Sequence, residues 1–293
     1  MRLPAVDDLD GWRRRNEEEL RQREAINAQL CARYAADLRT DRLGGVTVTE
    51  IRPARGGIPG KVLLYTHGGG FVGGASRDAL DSTLPLATET GLRILSIDYT
   101  LAPIADHHVI GEQVLAVLSA VYAQGFAARD VGVYGDSAGA TIAASAMLRA
   151  RDRGLPLPCA LVLWSPWADL TCSGDSFTTL ADAEPFYTAD VMLAKAAKCY
   201  AGATALTDPL VSVLNADYAR GYPPTLIQCG TREVLLSDAV GLHRRLRDAG
   251  IEAELDLYDG LWHVFQFKPI DSPEAIEARA RTGRFLLKHL GIS

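Results

Sequence analysis

The sequence predicts an α/β protein with a mostly parallel central sheet covered by helices on both faces. Three observations lead there. Short, continuous apolar runs alternate with helical segments along most of the chain, the pattern of strands buried on both faces. At 293 residues and 48% hydrophobic content, the chain can bury one large core. Finally, Gly135-Asp136-Ser137-Ala138-Gly139 lies between the apolar run Val131-Gly132-Val133-Tyr134 and the small-residue run from Ala140 to Ala144, a strand–turn–helix setting.

The elements follow in order. Residues 9 to 38 read as a helix, because Ile26, Leu30, Tyr34 and Leu38 recur every fourth position while Arg and Glu fill the other faces. Val46 to Ile51 alternates like a half-buried strand, and residues 55 to 60 form a Gly/Pro turn. Further strands are expected at Val62–Thr66, Arg93–Asp98, Val131–Tyr134, Ala160–Trp164, Thr225–Cys229 and Glu254–Tyr258. The stretch from about 165 to 215 breaks this rhythm and reads as an inserted helical piece.

Bulk properties narrow the function. A formal net charge of −6 argues against nucleic-acid binding. No run is long and apolar enough to span a membrane, and Met1 to Arg15 lacks the apolar core of a signal peptide. Cys31, Cys159, Cys172, Cys199 and Cys229 are odd in number and scattered, without metal or redox spacing, which reads as free thiols in the cytoplasm.

Within G-x-S-x-G the glycines allow a tight turn, so Ser137 is the candidate nucleophile at the start of a helix whose amides face developing negative charge. His67-Gly68-Gly69-Gly70-Phe71-Val72-Gly73-Gly74 follows a strand and has two readings. Gly68, Gly70 and Gly73 satisfy G-x-G-x-x-G with Asp98 as a ribose-binding acid, which would make the chain a dinucleotide-binding oxidoreductase. Alternatively, the glycine amides point at a carbonyl oxygen, and Ser137 favours that reading.

Serine acyl transfer also needs a base and a group that orients it. Of six histidines, His67 reads as a brace for its loop. His107 and His108 sit beside Asp106 in an expected loop without further metal ligands, and His243 and His289 lie in charged helices. His263 follows a strand's C-terminal end, where open α/β sheets place their sites. Glu233, just past Thr225–Cys229, is the candidate acid. Asp238 is the reserve, since an acid in a helix's first turn has a structural explanation, and Asp259 would have to fold back.

Together, these motifs with Asp98-Tyr99-Thr100-Leu101-Ala102-Pro103, Ser165-Pro166-Trp167-Ala168-Asp169-Leu170 and Asp208-Pro209-Leu210-Val211-Ser212 resemble the hormone-sensitive-lipase family of bacterial α/β-hydrolase esterases over nearly the whole chain. The resemblance implies an α/β-hydrolase fold with a helical cap, and a serine carboxylesterase acting on short-to-medium acyl esters. It implies Ser137 as nucleophile, His263 as general base and acid, and Glu233 as the residue that orients it, where most members carry aspartate. Gly69, Gly70 and Ala138 would supply the oxyanion hole, with His67 and Gly68 as loop support. The cap would comprise 1–42 and 166–215, and the core 43–165 and 216–293. Thr100 and Ile104-Ala105-Asp106-His107-His108 depart from the family pattern of an arginine and a Glu-His-Pro run.

No metal or organic cofactor is required by this chemistry, and the expected partner is a small-molecule ester, with a homodimer through the sheet edge. Phe71, Phe186, Tyr187 and Trp262 are the expected substrate lining. Hydrolysis of lactones, carbamates or amides would use the same triad. A hormone-binding relative lacking the histidine is disfavoured by His263.

Overall fold

The structure, a computed structural model, describes residues 3–35, 37–53, 57–185 and 189–292. In chain order its main elements are α1 (Leu9–Tyr34), β1 (Asp37–Leu43), β2 (Val46–Arg52), β3 (Val62–Thr66), α2 (Leu80–Thr90), β4 (Arg93–Ile97), α3 (His107–Ala123), β5 (Val131–Asp136) and α4 (Ala138–Asp152). These are followed by β6 (Ala160–Trp164), α5 (Ser176–Thr179), α6 (Ala189–Ala201), β7 (Thr225–Gly230), α7 (Leu236–Asp248), β8 (Ala253–Tyr258) and α8 (Pro273–His289). The strands form one sheet in the order β1-β2-β4-β3-β5-β6-β7-β8. β1 and β2 run antiparallel to their neighbours, while β4, β3 and β5 to β8 are mutually parallel.

Alternation along the strands builds two cores. Val62 and Leu64, Val131 and Val133, and Leu161 and Leu163 point to one face, packed with α3, α4 and α7. Leu63 and Tyr65, Tyr134, and Val162 and Trp164 point to the other, packed with α2 and α8. This period of two explains why every central strand reads as a continuous apolar run: both faces are covered.

α4 is buried from Ala138 to Ala150, and its small residues let it lie close under the sheet. Gly139 sets the limit of that approach. A Cβ there would stand 2.1 Å from the carbonyl oxygen of Thr66 and 2.4 Å from that of His67.

The first helix ends earlier than its apolar stripe suggests. Ala35 adopts φ 47°, ψ 32°, and its N–H caps the carbonyl of Cys31. Leu38 belongs to β1, opposite Ile51. The sequence of β1, Asp-Leu-Arg-Thr-Asp-Arg-Leu, gives no apolar alternation because it is an edge strand whose charges face solvent. The expected cap boundary at residue 42 therefore falls inside a strand of the sheet. His107 and His108 likewise open α3 rather than a loop, with the Asp106 carboxylate accepting from the amides of His108 and Val109.

Replacing Gly139 with alanine drives a methyl group into two backbone carbonyls that cannot swing aside. Urea unfolding should record a loss of about 3 kcal/mol, the upper part of the range for overpacking. Stability within about 1 kcal/mol of the original would show that this close approach does not constrain the helix.

Candidate active site

Three strand ends supply the site. Ser137 follows β5, Glu233 follows β7 and His263 follows β8, all at the C-terminal edge of the parallel sheet. Ser137 is the turn residue between β5 and α4, with φ 53° and ψ −124°, a strained state for a residue with a side chain. Its amide donates to the carbonyl of Trp164 on β6 (2.8 Å), which holds the turn.

β8 lies three strands from β5, roughly 14 Å away at the usual strand spacing, so the β8 loop must reach back toward β5. Ser165, immediately after β6 and itself at φ 48°, accepts the amide of Val264 at 3.0 Å. That bond draws His263 across the end of β7. The loop carrying Glu233 is stitched to the same segment, because the Arg232 amide donates to the carbonyl of Leu261 at 2.8 Å.

The result is a continuous hydrogen-bonded chain. Ser137 Oγ lies 2.9 Å from His263 Nε2, and His263 Nδ1 lies 2.8 Å from Glu233 Oε2. A carboxylate only accepts, so Nδ1 carries the proton and Nε2 is left as acceptor for the serine hydroxyl. Burial is graded along this chain: Ser137 is 7% exposed, His263 2% and Glu233 0%. Glu233 Oε1 accepts the Gly230 amide (3.2 Å) and the Cys229 thiol, leaving Oε2 directed at the imidazole. Burial and the Glu233 carboxylate both push the Cys229 thiol up, so it stays a donor.

Asp238 is elsewhere. Its Oδ2 accepts the amide of Asp169 (2.8 Å) and fixes the segment after β6, and burial raises its carboxyl well above the usual range. Asp259 accepts from Thr231. Of the three acids, the geometry joins Glu233 to His263.

The glycine loop runs beside the serine turn because β3 and β5 are neighbours, Thr66 opposite Gly135. The Gly68 amide donates to Asp136 Oδ1 at 3.0 Å. Gly69 has φ 114°, and a Cβ on it would meet the Gly73 carbonyl at 2.2 Å, so only glycine fits. His67 donates from Nδ1 to the Gly68 carbonyl (2.8 Å) and stacks on Tyr99, whose hydroxyl donates to the His67 carbonyl. Burial holds the His67 imidazole below its ordinary pKa and therefore neutral, which suits a brace.

The dinucleotide reading of this loop fails on geometry. The glycines do not open a helix, since α2 begins only at Leu80, and Asp98 Oδ1 is occupied by the amide of Ser76 at 2.8 Å. His107 is buried between Arg149 and Thr204, and burial, with the His108 and Arg149 charges, pushes its pKa down to about 4. Among the described residues no group of three or more His, Cys, Asp or Glu is placed to hold a metal ion.

Ser137 and His263 open into a cavity of about 710 Å³. Its walls include Val72 and Trp167 from the core, Met192, Leu193 and Ala196 from α6, and Arg15, Glu19, Arg23 and Ile26 from α1. The expected lining is corrected in two places. Phe71 is wholly buried with its ring stacked on Tyr200 at 3.9 Å, so the next residue, Val72, faces the cavity. Trp262 borders an adjoining cleft instead, its indole donating to the carbonyl of Lys268. Phe186 and Tyr187 lie outside the described residues. Thr100, at a departure from the family pattern, forms a reciprocal pair with Gln113, both bonds 2.8 Å. Sequence reading gave no role to Ser165 or Cys229. A serine directly after a strand in Ser-Pro-Trp and a cysteine just before the acid's turn were the only signals.

Comparison with known proteins agrees with this geometry. Residues 63–267 match the family of the α/β-hydrolase fold. The chain is 35% identical over 245 residues to an acetyl-hydrolase of Streptomyces hygroscopicus, covering 83% of this chain and 80% of the relative. It is similar to the crystal structure of an esterase from the bacterial hormone-sensitive-lipase family, with 36% identity and a TM-score of 0.83 over 87% and 85% of the two chains. A hormone-sensitive lipase from a metagenome library gives 31% identity and a TM-score of 0.85 over 92% and 91%.

Two substitutions separate the acids. Glu233→Gln removes the charge facing His263 and should lower kcat by about a thousandfold or more, whereas Asp238→Asn should lower it by less than about tenfold. The same Asp238 variant has a pH signature. Because the folded carboxyl binds its proton more tightly than the unfolded one, its stabilisation is complete below about pH 4 and lost as pH rises through the folded pKa. Wild-type unfolding free energy should fall relative to Asp238→Asn by up to about 1.4 kcal/mol per pH unit within that window. Parallel pH profiles, or equal loss of turnover in both variants, would contradict the assignment.

Proposed function

The chain belongs to the hormone-sensitive-lipase family of α/β-hydrolase-fold carboxylesterases, and from that premise we propose that it hydrolyses short-to-medium acyl esters through an acyl-enzyme on Ser137. The observation that carries the assignment is the unbroken relay from Ser137 Oγ to His263 Nε2 and from His263 Nδ1 to Glu233 Oε2.

In the first half-reaction Ser137 Oγ attacks the ester carbonyl as its proton passes to His263 Nε2. Glu233 stabilises the imidazolium that forms and keeps the ring in the required tautomer. The carbonyl oxygen becomes an oxyanion. The amides of Gly69, Gly70 and Ala138 receive it, a role supported by the fixed position of the glycine loop and by Ala138 being the first residue of α4. His263 then hands its proton to the leaving alcohol. Water, deprotonated by the same nitrogen, attacks the acyl-enzyme and restores the serine. These steps balance without a metal or organic cofactor.

The cap in this reading is the N-terminal helical segment with the 166–215 insertion, which is consistent with α1 and α6 both lining the cavity. Lys195 on α6 ties the two parts by donating to the carbonyls of Leu3 and Pro4. A small-molecule ester is the partner. We place the enzyme in the cytoplasm, supported by five free cysteines. A homodimer through the β8 edge, where Leu257 is exposed, completes the proposal, and mass by light scattering decides it.

Initial rates on p-nitrophenyl esters of rising acyl length, with wild type and Ser137→Ala, test the function. Turnover should peak at short-to-medium acyl groups and fall by at least about 10⁴-fold in the variant. A folded wild type that hydrolyses none of the series would overturn the reading.

A further inference from the structure

The catalytic cavity does not end at the catalytic residues. A second cleft of about 460 Å³ adjoins it, and the two share Arg23, Ile26, Asp81, Phe267 and Lys268 as lining. Beyond that neck, the cleft is walled by Leu30 of α1 on one side and by Trp262, Pro269 and Ile270 on the other.

The neck is mixed, with Ile26 and Phe267 giving an apolar side beside the charged Arg23, Asp81 and Lys268. Ile26 lies one helical turn before the buried Leu30, yet it is 50% exposed, an apolar side chain left standing at the junction of the two spaces. The Arg23 guanidinium beside it is committed, donating to Asp81 Oδ2 at 2.6 Å and to the Asp78 carbonyl at 3.1 Å. Its charge is therefore matched locally by Asp81. Lys268 Nζ sits 5.3 Å from the centre of the Phe267 ring, keeping its stem along that apolar wall.

Size points the same way. The main cavity alone falls in the range of roughly 300–1,000 Å³ that encloses drug-sized ligands, so a short acyl group beside Ser137 occupies only a small part of it. We infer that the leaving alcohol is long or bulky and apolar, and that it runs from Ser137 past Ile26 and Phe267 into the cleft between Leu30, Trp262 and Ile270. This inference rests on the esterase reading with a short acyl half, which leaves the alcohol as the extended half.

Rates on a series of n-alkyl acetates, from ethyl to dodecyl, test it in wild type, Ile26→Arg and Ile26→Trp. Each rate is divided by that of p-nitrophenyl acetate on the same protein. In wild type, kcat/KM should rise about fourfold for each methylene that enters the cleft. Both Ile26 variants, one charged and one merely large, should flatten the rise from the length at which the chain reaches the neck. An identical length dependence in all three proteins would overturn the inference. So would flattening confined to a p-nitrophenyl series of rising acyl length, which would put the acyl half in the cleft. Turnover of p-nitrophenyl acetate without any dependence on alkyl length sinks the inference alone, whereas no hydrolysis of any ester sinks the esterase reading with it.

Discussion

Ser137 sits at φ 53° and ψ −124°, a backbone state that costs of order 1–3 kcal/mol for a non-glycine residue, and the site is arranged around keeping it there. The turn cannot relax toward the helix, because α4 is pressed against the backbone of Thr66 and His67 at Gly139. Nor can it relax toward the strand, because its amide is bound to Trp164 on the neighbouring strand. The strain lifts the hydroxyl clear of the sheet and starts α4 at the next residue. Nucleophile and helix N-terminus thus come from one constraint.

Everything else in the site reaches toward that point. The glycine loop arrives through the adjacency of β3 and β5 and is pinned by Gly68 to Asp136, the residue before the serine. The histidine arrives from the sheet edge, and the Ser165–Val264 bond draws it past β7 toward the serine two further strand positions in. The glutamate is longer than the aspartate more usual in the family, with one more rotatable bond to fix. Gly230 and Cys229 together hold its far oxygen, so the near oxygen has one direction to point. Three loops with little regular structure are held by a few hydrogen bonds each, several of them from residues next to strand ends.

The legibility of the sequence follows from these physics. Strands covered on both faces, such as Val62–Thr66 and Ala160–Trp164, announce themselves as apolar runs because every side chain meets a core. The edge strand Asp37–Leu43 does not, since its outer face is water and its charges look like the end of a helix. Ser137, His263 and Glu233 were readable because each stands just beyond a legible strand in the order acyl-transfer chemistry uses. The lining was harder. Phe71 and Val72 differ by one position on a loop with positive φ at residues 69 to 71, and no periodicity indicates which of the two turns inward. Trp262 packs against a space formed by a helix more than 200 residues away, which no local pattern records.

The central claim is that Ser137 becomes covalently acylated. Intact mass and peptide mapping after reaction with a p-nitrophenyl alkylphosphonate test it most directly, because the phosphonyl group forms the serine adduct and cannot be hydrolysed onward at a useful rate. The account predicts one adduct per chain, on the peptide carrying Gly135 to Gly139, and none in Ser137→Ala. An adduct on another residue, or a wild type that remains unlabelled while folded, would contradict it.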